Sequence, residues 1–533
     1  MEEGRGEVLV HQIIERNARR APDAEALMGS DGAALTWAEV DDLAERLATV
    51  LAQRGVRPGA RVSVLARNGL ELVPVYAAVN KIGAVYAPVN YRLAPEEIAA
   101  ILRDCAPSAL LVHEEFADVV HEVDTGGVEP WIYGAHGGAG DLRSQCEDVA
   151  PCRRTGVETA PSDPSWICYT GGTTGRPKGV VLTHDNMLAT ARALVEVCGI
   201  RPDDTYLVAG PMFHVVLAAP VAYWLQGART VLINFNPATA LRVISEQRVT
   251  RLIATGTIFK AIVEEQERAP RPTVLRTIDF GGAPIPESLA RRAAAAFGCN
   301  VGQIYGQSET TLLTTYLQPA EYATAWGGTG CDRTSSVGRA VPGVQLRILD
   351  DRGEALPPAR VGEVAVRGPG VMRGYWRNPE QTAAALRNGW LRTGDLGLLD
   401  DDGYLHLRDR LKDVIITGGE NVYSSEVELV LARHPDVAEV AVVPVPDEHW
   451  GELVGAVVVP MTGAAPDPAA LRAFCRERLA GYKLPRLIFF RREVPRLPTG
   501  KIAKSLLRDE VSSRAPWTTS DLYHALPNGA ETP

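Results

Sequence analysis

The sequence predicts an α/β protein built from two sets of crossover units, followed by a small β unit and a compact α+β piece. Three observations predict it. Strand and helix signals alternate through the first third and again through 188–297; past about 340 the runs shorten to strands separated by turns; and beyond Arg410 a helix, two strands and another helix follow in a short span. Alternation of that kind belongs to a largely parallel sheet with helices packed on its faces. At 533 residues the chain exceeds the size at which one core keeps growing, so two or more domains are expected.

The elements follow in order. Thr36-Trp37-Ala38-Glu39 is a capping box opening an apolar-periodic helix through 51; residues 61–66 are a short buried strand, and 84–89 another after an intervening helix. Pro95-Glu96-Glu97 starts the next helix, and 109–112 is the strand after it. From 117 to 165 the pattern dissolves into Gly, Pro and charge, which predicts a loop-rich surface segment. Strands at 166–170 and 180–183 then flank a glycine-rich loop. The second crossover set comprises a helix at 188–198, a strand at 230–233, a helix at 238–247, a strand at 251–254 and a helix at 288–297. Strands at 344–349, 362–366 and 404–407 make the small β unit. A helix at 424–432, strands at 437–443 and 455–459, and a helix begun by Asp467-Pro468 make the α+β piece, so a domain boundary is expected between 1–409 and 410–533. The last twenty residues are polar and read as a loose tail, and there is no internal repeat.

Composition narrows the class of function. Hydrophobic content of 46% and charged content of 23% are ordinary globular values. A net charge of −10 argues against a nucleic-acid partner held by bulk electrostatics, so any polyanion must be gripped locally. The eight cysteines include no C-x-x-C and read as reduced core thiols. Neither a basic, apolar leader nor an uncharged run of membrane-spanning length is found, which leads to the expectation of a cytoplasmic protein with no membrane span.

The most informative stretch is Y-T-G-G-T-T-G-R-P-K-G at 169–179. Glycines at 171, 172, 175 and 179 let the backbone approach a ligand and turn several N–H donors toward one point. Thr170, Thr173 and Thr174 add hydroxyl donors, and Lys178 adds full charge. A Walker loop needs Gly-Lys followed by Ser or Thr and a helix, whereas here Lys178 precedes Gly179 and a β-rich run.

Five further segments accompany the loop: Pro211-Met212-Phe213-His214; Tyr305-Gly306-Gln307-Ser308-Glu309; Leu391-Arg392-Thr393-Gly394-Asp395; the run from Arg408-Asp409-Arg410-Leu411-Lys412-Asp413 through Gly418-Gly419-Glu420-Asn421; and Pro498-Thr499-Gly500-Lys501. In this order and spacing, across roughly the whole chain, they resemble the adenylate-forming superfamily of acyl-CoA synthetases, aryl-CoA ligases, adenylation domains and firefly-type luciferases. The resemblance implies a large N-terminal domain of two doubly wound α/β subdomains plus a small β-barrel-like unit, with a small mobile α+β C-terminal domain. It also implies ATP, magnesium and CoA, and a small carboxylic acid first converted to an acyl-AMP anhydride.

Residue roles follow from the same resemblance. Thr170, Gly171, Thr173, Thr174 and Lys178 would hold the β- and γ-phosphates, and Glu309 the magnesium. Tyr305 would stack near adenine beside Gly282 and Ala283, with Gly306 and Ser308 in the same nucleotide motif. Asp395 and Arg410 would hold the ribose. Lys501 would bridge carboxylate and α-phosphate, His214 would gate the acyl pocket, Lys412 would be the hinge, and Gly418 and Gly419 would admit pantetheine. Pocket walls would come from Val215, Leu217, Thr257, Gly282, Gly302, Gly306 and Leu312. None of those is charged, which disfavours an amino acid and leaves an aliphatic or aromatic acid.

Three positions depart from the family pattern. Ser308 stands for the usual Thr, no glycine follows His214 in V-V-L-A-A-P, and Ala254-Thr255-Gly256-Thr257 replaces the usual Val-Pro-Thr. The last two lie at the acyl pocket and leave room for another acceptor: a carrier-protein thiol, an amine, or nitrite in a diazotase-like reaction. A non-catalytic nucleotide-binding protein of this fold is the alternative from another class, opposed by Lys178, Glu309, Asp395 and Lys501 all being present.

Overall fold

The computed structural model describes residues 9–134, 136, 140–151, 158–170, 177–283, 285–324, 335–447, 449–497, 501–513 and 523–525. The chain divides into two compact units: residues 1–346, 366–392 and 403–405 form the first, and 347–365, 393–402 and 406–533 the second.

The first unit contains both predicted crossover sets as separate sheets. In the seven-stranded sheet Arg61–Leu65 lies between Val85–Pro88 and Ala109–His113, all parallel, and Pro164–Thr170 joins parallel to Val85–Pro88. Helices Leu72–Lys81 and Pro95–Cys105 are its crossovers. The nine-stranded sheet has six parallel central strands, Asn300–Tyr305, Thr277–Gly281, Arg251–Thr255, Thr205–Val208, Arg229–Leu232 and Glu25–Gly29, with short antiparallel strands at both edges. Strands covered on both faces carry continuous apolar runs, as Arg251–Thr255 does with Leu252, Ile253 and Ala254 all buried.

Local signals hold where the physics is local. The Trp37–Gln53 helix has Thr36 as its N-cap: the Glu39 N–H donates to Thr36 Oγ1 at 3.3 Å, and the Thr36 N–H donates to the Glu39 carboxylate at 2.9 Å. Helix Pro468–Arg476 begins where Asp467-Pro468 said, with Asp467 accepting from the Ala469 and Ala470 N–H groups. A five-stranded sheet runs in the order Gln345–Leu349, Gly362–Arg367, Trp390–Leu399 and Leu386–Arg387, with Leu405–Arg410 on Trp390–Leu399. The second unit carries a six-stranded sheet whose longest pair, Val437–Asp447 and Gly451–Pro460, is antiparallel.

Two expectations are corrected. The 117–165 segment is not all loop: it holds helices Ala117–His121 and Leu142–Gln145 and a strand, Pro130–Tyr133, parallel to Ala109–His113. Helices of four or five residues are too short to show a period, and a proline at the head of a strand is tolerated at a sheet edge. The C-terminal stretch read as a loose tail supplies a strand, Tyr523–Ala525, parallel to Leu487–Phe490. Cys105, Cys146, Cys168, Cys198, Cys299 and Cys475 are free and buried; Cys152 and Cys331 lie outside the described residues. Among the described residues, no helix is long and apolar enough to cross a membrane.

Candidate active site

Register gathers the predicted residues of the first unit. Thr255 lies opposite Gly281, and Gly281 opposite Ile304, on three adjacent parallel strands. The chain therefore leaves all three at the same edge, into Gly256-Thr257, Gly282-Ala283 and Gly306 through Glu309. The neighbouring strand Thr205–Val208 leads at that edge toward Phe213 and His214. Carboxyl ends of parallel strands are where open α/β sheets form their ligand crevices.

Each position has its own geometry. Gly282 takes φ +78° with nothing within 4 Å of an added Cβ, so backbone is presented to open space. Ala283 and Thr257 are exposed, and the Thr257 and Thr255 hydroxyls lie 3.3 Å apart. Tyr305 is buried at its strand end. Gly306 faces the backbone of Leu312, whose carbonyl oxygen would stand 2.1 Å from a Cβ there. Thr311 and Leu312 turn the chain back with φ of 49° and 78°, and the Leu312 N–H donates to Gln307 O at 2.9 Å. Consecutive non-glycine residues at positive φ are held only where the surroundings over-determine them. Gly302 lies deeper, against the Tyr316 hydroxyl, which donates to Asp279 Oδ1 at 2.8 Å; burial raises the Asp279 carboxyl to about 6. Leu217 is fully buried in the core and Val215 half-buried, both in the turn after His214. The His214 ring tilts against Phe213, centroids 5.1 Å apart, and Phe213 meets Tyr91 edge-on at 5.3 Å.

The hairpin that flanks the glycine-rich loop is formed as expected. Pro164–Thr170 and Lys178–Thr183 are antiparallel, with Thr170 opposite Lys178 at its mouth. Residues 171–176, including Gly171, Thr173 and Thr174, lie outside the described residues. Cys168, one turn of the pleat below, has its sulfur 4.0 Å from Phe213 O and 4.0 Å from Ser308 Oγ, which brings the hairpin, the histidine segment and the Ser308-Glu309 segment to one place. Burial pushes that thiol up to about 12, so it stays protonated.

Tyr375 was not read from the sequence. Its hydroxyl donates to Glu309 Oε1 at 2.9 Å, and its ring lies under Lys178 Nζ at 5.3 Å from the centroid. Burial and the Glu309 charge hold the phenol well above its usual range, so it remains a donor. Glu309, Lys178 and Tyr375 are all half-buried. Glu309 fits magnesium in the manner of that cation. No group of three His, Cys, Asp or Glu converges as a metal cage among the described residues, and magnesium takes one or two carboxylates with the rest of its oxygens from phosphate and water.

The second unit holds the remaining positions. Arg410 Nε meets Asp395 Oδ1 at 2.8 Å, and Asp395 is buried. Gly394, at φ +70°, and the Thr393 hydroxyl, which accepts from the Asp395 N–H at 3.1 Å, set its position. Burial lowers the Lys412 ammonium from its ordinary value despite Asp413 beside it; Arg508 donates both to Lys412 O and to Asp413 Oδ1. Gly418 and Gly419 have φ of 59° and 84° and join Thr417 to its partner Glu420, a two-residue hairpin turn that demands positive φ twice. Gly418 packs under Trp450, 2.8 Å from where its Cβ would be, while Gly419 faces open space. Lys501 is exposed, its carbonyl accepting from the Leu497 N–H at 2.8 Å; Pro498, Thr499 and Gly500 lie outside the described residues.

The chain is similar to known proteins over most of its length. The AMP-binding enzyme family matches residues 14–376, and the AMP-binding enzyme C-terminal domain matches 426–501. A feruloyl-CoA synthase from an Amycolatopsis species is 37% identical over 92% of this chain and 97% of its own. A fatty acid–[acyl-carrier-protein] ligase, ScoC, from Streptomyces coeruleorubidus is 35% identical over 93% of this chain and 95% of its own. The crystal structure of ATP-bound MatB from Rhodopseudomonas palustris superposes with a TM-score of 0.84 at 31% identity, covering 94% of this chain and 98% of that one.

Proposed function

The chain belongs to the family of AMP-binding enzymes, and from that membership we propose that it activates an apolar carboxylic acid with ATP and passes the acyl group to the thiol of CoA. A carboxylate oxygen attacks the α-phosphorus, the bond to pyrophosphate breaks, and acyl-AMP forms; the thiolate of CoA then attacks the acyl carbon and AMP leaves. The observation that carries this reading is the Lys178–Tyr375–Glu309 arrangement, in which a half-buried cation lies over a tyrosine ring and a half-buried carboxylate accepts from that tyrosine's hydroxyl at the mouth of a glycine-rich hairpin.

Both anions of the first step need positive charge where negative charge accumulates. Lys178, with Thr170 and the loop residues Gly171, Thr173 and Thr174, holds the β- and γ-phosphates. Glu309 would hold magnesium, which would supply further neutralisation of the phosphate charge. Tyr305, Gly306, Ser308, Gly282 and Ala283 take the adenine, and Asp395, oriented by Arg410, takes the ribose hydroxyls. Lys501 supplies the charge between carboxylate and α-phosphate, while His214 gates a pocket walled by Val215, Leu217, Thr257, Gly302 and Leu312. Residues 1–409 and 410–533 act as two domains hinged at Lys412, so that Lys501 serves adenylation and Gly418 and Gly419 serve pantetheine entry. ATP and CoA, and buried reduced thiols, suit a cytoplasmic enzyme. The likeness to ScoC favours a second reading in which the acceptor thiol belongs to a carrier protein.

A panel of aliphatic and aromatic acids, screened by pyrophosphate release with and without CoA and with a carrier protein, tests acid and acceptor together. No release with any acid would overturn the reading. Asp395→Ala leaves Arg410 without its carboxylate and is expected to weaken ATP binding about tenfold or more, the scale of a lost hydrogen bond to a charged group. Calorimetry with unchanged ATP affinity contradicts the ribose role. Gly419→Val adds a β-branched side chain at φ +84° and is expected to slow thioester formation while leaving adenylation near normal. Equal loss of both steps, measured separately, removes the pantetheine assignment.

A further inference from the structure

Lys178 and Glu309 carry opposite charges in a half-buried site, yet neither forms an ion pair among the described residues. Both instead contact Tyr375. Its ring face receives the Lys178 ammonium and its hydroxyl receives the Glu309 carboxylate, so each charge has a partner that is not an ion. We propose that Tyr375 is a positioning residue that keeps Lys178 and Glu309 from pairing with each other, leaving the ammonium available to nucleotide phosphates and the carboxylate to the divalent cation that accompanies them. The proposal rests on the nucleotide reading of this site.

The backbone around Tyr375 is built to hold it there. Gly374 and Tyr375 pair antiparallel with Val181 and Val180, the strand that begins at Lys178. The Tyr375 N–H donates to Thr382 Oγ1 at 2.9 Å, and the Trp376 N–H to Gly179 O at 2.7 Å. Gly179 has no room for a side chain, since a Cβ would stand 2.8 Å from Ile167 Cγ2 and 3.1 Å from Trp376 Cβ. On the other side, the Met372 N–H donates to Glu309 O at 2.8 Å, which ties the segment bearing Tyr375 to the residue it holds. A ring fixed on both flanks keeps its two charged neighbours at set positions, the requirement for a preorganised site.

The chemistry favours such a spacer. A direct lysine–glutamate contact would be a charge-assisted hydrogen bond, and nucleotide and cation would each have to break it before binding. A cation over an aromatic face and a neutral hydroxyl on a carboxylate are weaker partners, and incoming phosphate or metal displaces them readily.

The test compares Tyr375→Phe with Tyr375→Leu in the full chain. Phe keeps the spacer and loses the hydroxyl; Leu loses both. Binding of Mn2+ with a non-hydrolysable ATP analogue, followed by electron paramagnetic resonance, is expected to weaken about tenfold in Tyr375→Leu and about threefold in Tyr375→Phe, magnitudes on the scale of one lost charge-assisted contact. Metal-free nucleotide binding is expected to weaken in Leu and to hold in Phe. Both variants are expected to melt within a few degrees of the parent. Unchanged Mn2+ affinity in either variant, or equal effects of Phe and Leu, overturns the proposal, and should Leu fail to fold, the Phe variant decides alone. A parent protein that binds neither Mn2+ nor nucleotide overturns the nucleotide reading instead, so the two failures are distinguishable.

Discussion

Lys501→Ala is expected to abolish acid-dependent pyrophosphate release while sparing thioester formation from supplied acyl-adenylate. The reason is electrostatic. Two negatively charged oxygens converge when a carboxylate approaches the α-phosphate, and charge placed in advance where that charge develops acts on the barrier directly. Removing a single such donor costs about 100–1,000-fold in rate. Thioester formation starts from an anhydride whose pyrophosphate has already gone, and no second anion has to be brought to phosphorus. The Lys501 side chain is exposed, and its backbone is held by the Leu497 N–H and by the bridge between Arg496 and Ile502, so truncation leaves the local fold in place. Thermal melting should therefore be unchanged. Lys501→Arg is the sharper control: it keeps the charge but replaces a compact ammonium by a planar fork, and recovery should be partial. The measurement is exchange of labelled pyrophosphate into ATP, set beside single-turnover thioester formation from synthetic acyl-AMP. Equal loss in both assays refutes the division of labour.

How much of this could be read from the chain depended on how local the cause was. The Thr36 capping box and the Asp467-Pro468 helix start were legible because each is one turn of backbone satisfied by its own side chains. The hairpin around the glycine loop was legible because glycine and threonine chemistry is itself the signal. The helix Ala218–Leu225 was not, since A-A-P-V-A-Y-W-L is buried nearly all round and so has no polar face to give a period. Pro130–Tyr133 was missed because four residues at a sheet edge leave too little pattern. Glu309, Asp395 and Arg410 stood out through their motifs, but the Arg410 to Asp395 ion pair needed the fold to be seen. Tyr375 carried no signal at all: its place depends on a two-residue strand pairing with Val180 and Val181, a contact between distant segments that no local rule specifies. The same holds for the Tyr316 to Asp279 hydrogen bond beneath Gly302.

Gly306→Ala should disable adenylation through geometry alone. A Cβ there would lie 2.1 Å from Leu312 O, 2.4 Å from Leu312 C and 2.8 Å from Leu313 N, all backbone atoms, so no rotamer change relieves the clash. The opposing loop has little freedom to retreat. Leu312 sits at φ 78° with its N–H on Gln307 O, and the Thr311 hydroxyl donates to Gly370 O at 2.7 Å. The strain must instead pass into 307–310, the turn that carries Ser308 and Glu309. Overpacking of this kind costs about 1–3 kcal/mol of stability, but a displacement on the order of 1 Å at a reacting site costs about 100-fold in rate. Activity should therefore fall much further than stability. Gly282→Ala is the comparison that isolates the cause: nothing lies within 4 Å of its Cβ, and only the positive φ of +78° opposes it, a penalty of about 1–2 kcal/mol. Melting temperature, ATP affinity and pyrophosphate release measured on both variants separate the two effects. Full adenylation activity in Gly306→Ala would mean that the close approach of Leu312 to Gly306 has no part in holding Glu309, and the site as described would have to be rebuilt without it.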